Sequence, residues 1–359
     1  MSATVCVVGG YGEVGRHVCR LLSQRHPELR ILVAGHDLAR AQQVAAELPR
    51  AGAVAVEVRE ADPMAGIPEP VDAVVVLSGD PGFRLLGSAL DRGVAVVDAS
   101  ERVLAVDAVA DVVAAAAAPG GVPPVVLPVG WAASAAAVAL AGLLSGVDPV
   151  TGEQVAYDAV DITALLHHDD RVGPLAAAAW VDLHRTFVVW ESGRRRLARG
   201  YAEPRRVSFD AGTFRARRVS SGEQDTLVEA ELADGVAVRV AYDHAPSALG
   251  LAGLVGTGVW ALLPRRVRAR LLSVDAETGA PHEVRVEARR GETVRRLVLR
   301  DPAGRAHLTA ASTVSQTERV LGLAGRIRPL PGLSYPEFAP DAVRDVAALR
   351  EMGVEVSEA

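Results

Sequence analysis

A glycine-rich run at residues 9–15, Gly-Gly-Tyr-Gly-Glu-Val-Gly, is the strongest chemical signal in the sequence. It contains the spacing Gly10-x-Gly12-x-x-Gly15. In a dinucleotide-binding turn the first glycine lets the chain turn sharply, the second lets the backbone approach a pyrophosphate, and the third brings helix and strand close together. The helix that follows offers N–H groups and a positive dipole end to the phosphates. The predicted contacts are Gly10, Tyr11, Gly12, Glu13, Val14 and Gly15.

The residues after the second predicted strand bear on which dinucleotide is bound. An NAD site usually carries Asp or Glu about 20 residues beyond the glycine motif, where it bonds the ribose 2′-hydroxyl. Here that position is Gly35, which does not repel a 2′-phosphate. His36 and Arg40 follow, and both can donate hydrogen bonds to a phosphate. The sequence therefore favours NADP, whereas Asp37 turned inward would favour NAD.

Three further predicted strands end in residues that a cofactor could contact. They are Ser78 and Gly79 in the loop 78–82, Asp98, and Trp131. Because ligands of open α/β sheets lie outside the carboxyl ends of the strands, these loops are expected to surround the nicotinamide. For Asp98 we favour a structural role as a cap or loop anchor. Trp131 fits equally a nicotinamide wall or a plug between domains.

The proton donor is not singled out by any pattern. The candidates are His167, His168, Tyr157 and His184, with Tyr201, Tyr242 and His244 as alternatives. A histidine titrates in the range that suits a general acid near neutral pH, although a surface loop is the commoner setting for such a cluster. Neighbouring histidines point different ways on most backbones, so no metal site is expected.

Apolar runs alternate with helical patterns over residues 1–150. Strands are predicted at 3–8, 29–34, 54–58, 71–77, 94–97 and 124–127. This alternation is typical of an α/β fold with a Rossmann-type, doubly wound parallel sheet. An α+β domain with a mostly antiparallel sheet is predicted at 151–320, from runs at 186–190, 207–209, 226–233, 236–242, 283–288 and 294–300. A C-terminal segment, 321–359, follows.

The composition narrows the function. The 359 residues carry a formal net charge of −6, which argues against nucleic acid as the main partner. All 38 basic residues are arginine, so Schiff-base chemistry and a lysine-bearing phosphate loop are excluded. The two cysteines, Cys6 and Cys19, make no disulfide framework and are expected in the core. With no signal-peptide pattern at the start, we expect a cytoplasmic protein.

Residues 245–263 carry no charge and precede four arginines, Arg265, Arg266, Arg268 and Arg270. The segment just reaches membrane-spanning length, but Gly, Ala, Ser and Pro dilute its hydrophobicity, so membrane contact is not expected. Burial as a core or pocket-lining helix is the leading interpretation. Docking on a membrane surface or on an oligomer partner is the second.

Several segments resemble the saccharopine dehydrogenase-like oxidoreductases. They are the run at 9–15, Val-Ala-Gly-His at 33–36, Gly-Asp-Pro at 79–81, the stretch 90–98, Leu-Pro-Val-Gly-Trp at 127–131, His-Leu-Thr-Ala-Ala at 307–311 and the stretch 331–337. The resemblance implies hydride chemistry, a second domain for substrate and often for dimerisation, and a last segment that packs back on the first domain. Two departures are His36, where the family often has Arg, and Asp80, which separates Gly79 from Pro81.

We therefore expect an NAD(P)H-dependent reductase that holds a small molecule between its domains and transfers hydride to a C=N or C=C bond, as a homodimer. The uncharged segment and few aromatics favour a hydrophobic substrate. An amino-acid imine would need a carboxylate clamp, for which Arg171, Arg185 and Arg217 are candidates. The alternative is a non-catalytic NADP-binding sensor or scaffold dimer, since no acid–base constellation is compelling.

Overall fold

The computed structural model describes residues 3–100, 106–116, 121–145, 156–168, 181–272 and 280–359. A parallel sheet forms the first domain, as predicted. Its strands are β1 (Thr4–Val8), β2 (Arg30–Gly35), β3 (Ala51–Ala55), β4 (Ala73–Val76), β5 (Ala95–Asp98), β6 (Pro124–Val126) and β15 (Gly332–Ser334). Their order is β15-β6-β5-β4-β1-β2-β3, with every pairing parallel. The reversal between β1 and β4 creates the crevice that such sheets use for ligands.

Helices cover this sheet because its strands are apolar on both faces. They are α1 (Glu13–Arg25), α2 (Leu38–Ala45), α3 (Arg84–Asp91), α4 (Val106–Ala115) and α5 (Ala135–Ala139), which continues into a π-helical turn at Leu140–Leu144. Cys6 in β1 and Cys19 in α1 are buried and free, in agreement with a core role. Burial raises the pKa of both thiols to about 12, so neither is a nucleophile at neutral pH.

The second sheet is mostly antiparallel, as predicted. It contains β7 (Ala159–Leu166), β10 (Arg205–Phe209), β11 (Gly212–Val219), β12 (Val236–Tyr242), β13 (His282–Arg290), β14 (Thr293–Asp301) and β16 (Glu355–Glu358). The order is β10-β11-β12-β7-β13-β14-β16, and β7 with β12 is its parallel pair. A separate hairpin of β8 (Thr186–Glu191) and β9 (Arg194–Arg199) turns at Ser192 and Gly193.

Two predicted strands differ from the structure. The third lies at Ala51–Ala55, three residues before the predicted start, where small residues are tolerated because the strand is at the sheet edge and half-buried. The predicted strand 226–233 is wrong: Glu223–Glu229 form helix α6. The Gln224 side chain accepts a hydrogen bond from the Ser221 N–H at 3.3 Å, a reach-back typical of a helix start. Asp234-Gly235 therefore links a helix to β12.

The C-terminal part of the chain joins both sheets. Helix α10 (Arg305–Leu321) packs against α1, and its buried Glu318 accepts hydrogen bonds from Arg25 at 2.6 Å and His26 at 2.8 Å. Strand β15 extends the parallel sheet beside β6. Helix α11 (Ala342–Glu351) then leads to β16, which pairs with β14 in the second sheet. The two domains are thus tied by backbone pairing as well as by side chains.

The uncharged segment differs from its leading interpretation. It forms α7 (Ala245–Gly256) and α8 (Val259–Leu262), and α9 (Arg265–Leu272) follows. Val255 and Trp260 are buried, but Leu249 is 65% exposed and Leu262 is 83% exposed. Burial as a core helix is therefore wrong for most of the segment, because only one side of each short helix meets the body of the protein. Among the described residues no helix is long and apolar enough to cross a membrane.

Candidate cofactor and substrate site

The glycine-rich turn connects β1 to α1 by close backbone contacts. Gly9 has φ +87°, which only glycine adopts without strain, and its N–H donates to the Ala34 carbonyl oxygen at 2.9 Å. The sharp turn predicted for Gly10 therefore falls on Gly9. Gly10 is required for space instead, since a Cβ there would lie 2.8 Å from the Val7 carbonyl oxygen.

The helix of this turn begins very close to the strand. A Cβ at Gly15 would lie 2.2 Å from the Gly9 carbonyl oxygen and 2.6 Å from the Gly10 Cα, so no larger residue fits. Gly12 precedes the first residue of α1. Apart from its chain neighbours, a Cβ at Gly12 would meet only the Gly9 carbonyl oxygen within 4 Å among the described residues. The space in front of the helix N-terminus is therefore open to a phosphate.

Tyr11 covers the end of β2. A Cβ at Gly35 would lie 2.4 Å from the Tyr11 ring, so Gly35 is needed to seat the ring as well as to leave out a carboxylate. The Tyr11 hydroxyl lies 2.9 Å from His36 Nδ1 and accepts from the Asp37 N–H at 3.3 Å. The Arg40 guanidinium stacks over the same ring, 4.9 Å from its centroid. These contacts bring Tyr11, His36 and Arg40 together.

Asp37 is the N-cap of helix α2. Its carboxylate accepts a hydrogen bond from the Arg40 N–H at 3.1 Å and so caps helix α2. His36 and Arg40 are exposed beside it. This edge thus presents two potential donors, with the nearest carboxylate engaged by the helix.

The loops after β4 and β5 hold the middle of the crevice. Asp80 accepts hydrogen bonds from the Leu85 and Leu86 N–H groups, both at 3.1 Å, and so anchors the start of α3. The Ser78 hydroxyl is buried and has no hydrogen-bond partner within the described part of the chain. Gly79 beside it is exposed. Asp98 accepts from the Ser100 N–H at 3.1 Å, as expected of a loop anchor.

A cavity of about 260 Å³ lies between the two domains, beside the carboxyl ends of β5 and β6. The first domain contributes Ala99 and the loop 128–133, and the second contributes residues 182–183, 185–187 and 219–221. Arg305, the first residue of α10, also lines it. Most of the lining is apolar, and the charged groups are Asp182, Arg185 and Arg305. A small, largely apolar ligand with one anionic or polar end fits such a lining.

Trp131 both lines the cavity and joins the domains. Its indole Nε1–H donates to His282 Nε2 at 2.8 Å, and the two rings are stacked. Burial lowers the pKa of His282 to about 3, so this imidazole is neutral. The next three residues, Ala132, Ala133 and Ser134, all have positive φ. The Ser312 hydroxyl fixes this strained turn by donating to the Ala133 carbonyl oxygen at 2.8 Å.

The deepest charged group beside the cavity is Glu223. It is fully buried; one carboxylate oxygen, Oε1, accepts from the Trp131 N–H, and the other, Oε2, contacts the Ser221 hydroxyl. Burial raises the pKa of Glu223, which favours its protonated form. In the structure both carboxylate oxygens accept, Oε1 from the Trp131 N–H and Oε2 from the Ser221 hydroxyl. Ser221 itself lines the cavity.

His167 and His168 share one carboxylate at the end of β7. Their Nδ1 atoms lie 3.1 and 3.0 Å from Asp243 Oδ2. His168 is exposed and its ring packs against His244. Neither histidine lines the interdomain cavity. No group of three or more His, Cys, Asp or Glu residues suited to a metal occurs in the described ranges.

The other two proton-donor candidates also lie off the cavity lining. The buried Tyr157 hydroxyl donates to the Leu144 carbonyl oxygen at 2.9 Å. His184 stands between two cavity-lining residues and has Nδ1 3.4 Å from the Arg268 guanidinium. Burial, followed by Arg268, lowers its pKa, so it is neutral at pH 7.

The three candidate clamp arginines have different positions. Arg185 lines the cavity, where its Nε lies 3.5 Å from Asp182. Arg217 stacks on the Tyr201 ring and donates to the Tyr201 carbonyl oxygen. Arg171 lies outside the described residues. Of these, Arg185 is the one that a cavity ligand would meet.

Sequence reasoning missed Glu223, Ser221, His282 and Arg305. The alternation around residue 226 suggested a strand, which hid the helix start. The spacing Ser221-x-x-Gln224 was the available signal, since it is typical of a capping box and places Glu223 in a first helical turn. Nothing local to the sequence indicates that His282 meets Trp131, 151 positions away.

These features fit a dinucleotide along the edge of the parallel sheet. The open front of α1, the buried Ser78 hydroxyl and the donors His36 and Arg40 lie at the end of the crevice that holds the glycine turn. The cavity lies further along the same edge, beside β5 and β6. This order, phosphates at the glycine turn and ring toward the cavity, follows the rule for doubly wound sheets.

Comparison with known proteins agrees with this site. Residues 5–122 match the family model described as the saccharopine dehydrogenase NADP binding domain. The chain is similar to apo saccharopine dehydrogenase (L-Glu forming) from Saccharomyces cerevisiae, at 14% identity and a TM-score of 0.66, over 100% of each chain. The fold is therefore that of saccharopine dehydrogenase, and the resemblance predicted from the sequence is confirmed.

A second structural match is more remote. A myo-inositol dehydrogenase from Corynebacterium glutamicum aligns over 100% of this chain and 99% of its own at 12% identity, with a TM-score of 0.42, too low to support any statement about this chain. No curated protein sequence matches the chain. The family match indicates an NADP-binding domain within residues 5–122, and the structural match gives the fold of the whole chain.

Proposed function

We propose that this chain, whose residues 5–122 match the saccharopine dehydrogenase NADP binding domain, is an NADPH-dependent reductase of a C=N or C=C bond. One observation carries the proposal. The interdomain cavity lies at the carboxyl ends of β5 and β6, on the sheet edge that begins at the glycine turn, and the second domain closes it. A substrate in this cavity would lie beside a nicotinamide bound along that edge.

The chain's own residues would bind and orient the cofactor. The N-terminus of α1 would bind the pyrophosphate, and the Ser78 hydroxyl would donate to the middle of the dinucleotide. His36 and Arg40 would bind the 2′-phosphate. At the end of β2, Asp37 caps α2, while His36 and Arg40 can donate to a 2′-phosphate. This arrangement favours NADP over NAD. When bound, the nicotinamide supplies hydride to the unsaturated carbon.

The cavity walls define the class of substrate. Val129, Leu183, Phe187 and Val219 supply apolar surface that excludes water from the unsaturated bond. Arg305 and Arg185 supply positive charge. A compact apolar group with one carboxylate or other anionic end satisfies both parts of the wall, and this covers enoyl and imine acceptors alike.

The proton that completes the reduction is assigned to Glu223 through Ser221. Hydride addition leaves a negative charge on the second atom of the double bond. Ser221 lines the cavity and its hydroxyl contacts Glu223 Oε2. A protonated Glu223 that donates to this hydroxyl would let the hydroxyl pass its own proton to that substrate atom and be restored by the carboxyl. The net change is one hydride and one proton added to the substrate, with the proton replaced from solvent after turnover.

Nucleotide titration tests the binding half of the proposal. Since a ligand of the folded state raises the melting temperature with concentration, NADPH should shift the transition at lower concentration than NADH. A shift with NADH alone would mean that Asp37 faces the ribose. No shift with either nucleotide would overturn the proposal.

Turnover separates the reductase from the predicted alternative, a sensor or scaffold. NADPH oxidation is followed at fixed enzyme with unsaturated carboxylic acids, enoyl thioesters and cyclic imines as acceptors. Oxidation that requires one of these classes supports a reductase. Tight NADPH binding with no oxidation across the set favours the sensor.

The homodimer and the cytoplasmic location remain predictions from the sequence. Sedimentation equilibrium of the purified chain gives the oligomeric state directly. A monomer would remove the dimer from the proposal.

A further inference from the structure

Helices α7, α8 and α9 leave an apolar surface uncovered. Leu249 in α7 and Leu262 in α8 are 65% and 83% exposed, and Val259, Val267 and Leu271 are exposed as well. Most other apolar side chains of this size are buried in the core clusters. We call α7–α9, residues 245–272, the helical surface.

Helix α9 carries its exposed residues in two stripes. Val267 and Leu271 are four positions apart and form the apolar stripe, while Arg266 and Arg270 form a basic stripe one residue away. All four are exposed, and the inner side of the helix is formed by half-buried residues such as Arg268 and Leu272. This arrangement is typical of helices that lie in the plane of a membrane interface.

The charge of the helical surface has one sign. Residues 245–272 contain four arginines and no Asp or Glu. Arg268 points inward and donates to the Val181 carbonyl oxygen at 2.9 Å and to Asp182 at 3.3 Å. Arg265, Arg266 and Arg270 remain exposed. The acids that follow, Asp275 and Glu277, lie outside the described residues.

The helical surface is fixed to the wall of the interdomain cavity. The buried Trp260 donates from Nε1 to the Val181 carbonyl oxygen at 2.9 Å, the same atom that Arg268 reaches. Asp182 and Leu183, the next two residues, line the cavity. A partner bound to the helical surface would therefore sit against the outer side of that wall.

We propose that the helical surface docks on an anionic lipid membrane. Exposed leucine and valine side chains insert into the acyl boundary, and the arginines meet the phosphate headgroups. A second copy of the chain, face to face, would bring three exposed arginines against three others with no acid in the segment to oppose them. The charge therefore favours a lipid surface over self-association, and the proposal does not depend on catalytic activity.

Vesicle cosedimentation of the full chain tests the proposal. The wild type should sediment with phosphatidylcholine vesicles that contain phosphatidylglycerol, and the bound fraction should fall with added salt. Replacing one exposed arginine, Arg266→Gln, should weaken binding about fivefold. Leu262→Ser should weaken it about tenfold. Leu330→Ser is the matched control, because Leu330 is also 83% exposed but lies outside the helical surface.

The outcomes separate the occupants of the surface. Equal binding by wild type, Arg266→Gln and Leu262→Ser, or no binding to anionic vesicles, overturns the proposal. A lipid-independent dimer that Leu262→Ser dissociates and Leu330→Ser leaves intact would assign the surface to a second copy instead. Circular dichroism and melting temperatures of the variants show whether each remains folded.

Discussion

Two regions of the molecule depend on glycine for close packing, the glycine turn at residues 9–15 and the domain junction around Gly130, Gly222 and Glu223. They differ in how far apart the packed residues are in sequence. At the turn, a Cβ on Gly15 would lie 2.2 Å from the Gly9 carbonyl oxygen. At the junction, a Cβ on Gly222 would lie 2.2 Å from Val129 Cγ2, and one on Gly130 would lie 2.3 Å from the Glu223 carboxylate. Both regions need glycine for close approach, but only the turn brings together residues that are neighbours in sequence.

The two regions also differ in buried charge. The turn presents backbone N–H groups to an open crevice. The junction buries two carboxyl groups, Glu223 and Glu337, close enough for Glu223 to raise the pKa of Glu337 further. The turn therefore offers backbone donors, whereas the junction buries carboxyl groups whose pKa values are raised.

The largest effect is expected at the turn. Gly15→Ala should lower the free energy of unfolding by about 3 kcal/mol, since the new methyl meets immobile backbone atoms and overpacking of this kind is costly. Chemical denaturation measures it. Gly87→Ala in α3 is the matched control, because a Cβ there meets nothing within 4 Å and alanine favours a helix. Equal stabilities of the two variants would contradict the prediction.

At the junction, Glu223→Gln should lower kcat about 100-fold and leave the Kd for NADPH unchanged. The amide oxygen can still accept from the Trp131 N–H, but the side chain no longer supplies an acidic proton. Single-turnover NADPH oxidation with an active acceptor measures it. Glu229→Gln, on the exposed last turn of the same helix, should keep full activity. A fully active Glu223→Gln variant would remove the proton role.

A smaller effect is expected in the pH dependence of stability. Burial raises the pKa of Glu337 to about 7, above the value near 4.3 of the unfolded chain. The folded state therefore binds the proton more tightly, and stability should fall as pH rises through the window between these two values. Between pH 5 and pH 8 the wild type should lose about 2 kcal/mol that Glu337→Gln retains. Denaturation curves of both proteins at the two pH values measure this loss. An equal loss of unfolding free energy in the wild type and in Glu337→Gln would disprove the prediction.

The smallest effect is expected at the ribose end of the crevice. His36→Ala and Arg40→Gln should each raise the Kd for NADPH about tenfold, because each removes a donor to a charged phosphate, and should leave NADH unaffected. Calorimetric titration with both nucleotides measures the ratio. As a control, Asp37→Ala should cost about 1 kcal/mol of stability through the lost cap of α2, with the two affinities unchanged relative to each other. Loss of NADH binding alone in that variant would place Asp37 on the ribose.

Much of the first domain could be predicted from the sequence. The spacing of Gly10, Gly12 and Gly15, and the apolar runs around them, identified the turn, the parallel sheet and its ligand-binding edge. Even there the positive φ belongs to Gly9, since the run holds two adjacent glycines that spacing alone does not distinguish. The packing of the Tyr11 ring on Gly35 also needed the structure, because it joins the glycine turn to the end of β2, 24 positions away.

The second domain was harder for a physical reason. Alternation over 226–233 looked like a strand, yet burial against the core and the Ser221–Gln224 contact favour helix α6. The uncharged segment 245–263 looked like a core helix, but it forms two short helices with one inner side each, which leave Leu249 and Leu262 exposed. In both places tertiary contacts outweigh the local pattern.

The glycine spacing identifies the dinucleotide-binding turn from local sequence, because its steric conditions act between residues a few positions apart and only glycine meets them. The positions of the buried carboxyl groups, the interdomain cavity and the exposed helices follow from the tertiary structure. Glu223 becomes a buried acid through contacts with Trp131, 92 positions away, and burial is a property of all the elements around a residue together. No local pattern encodes a pKa that arises in this way.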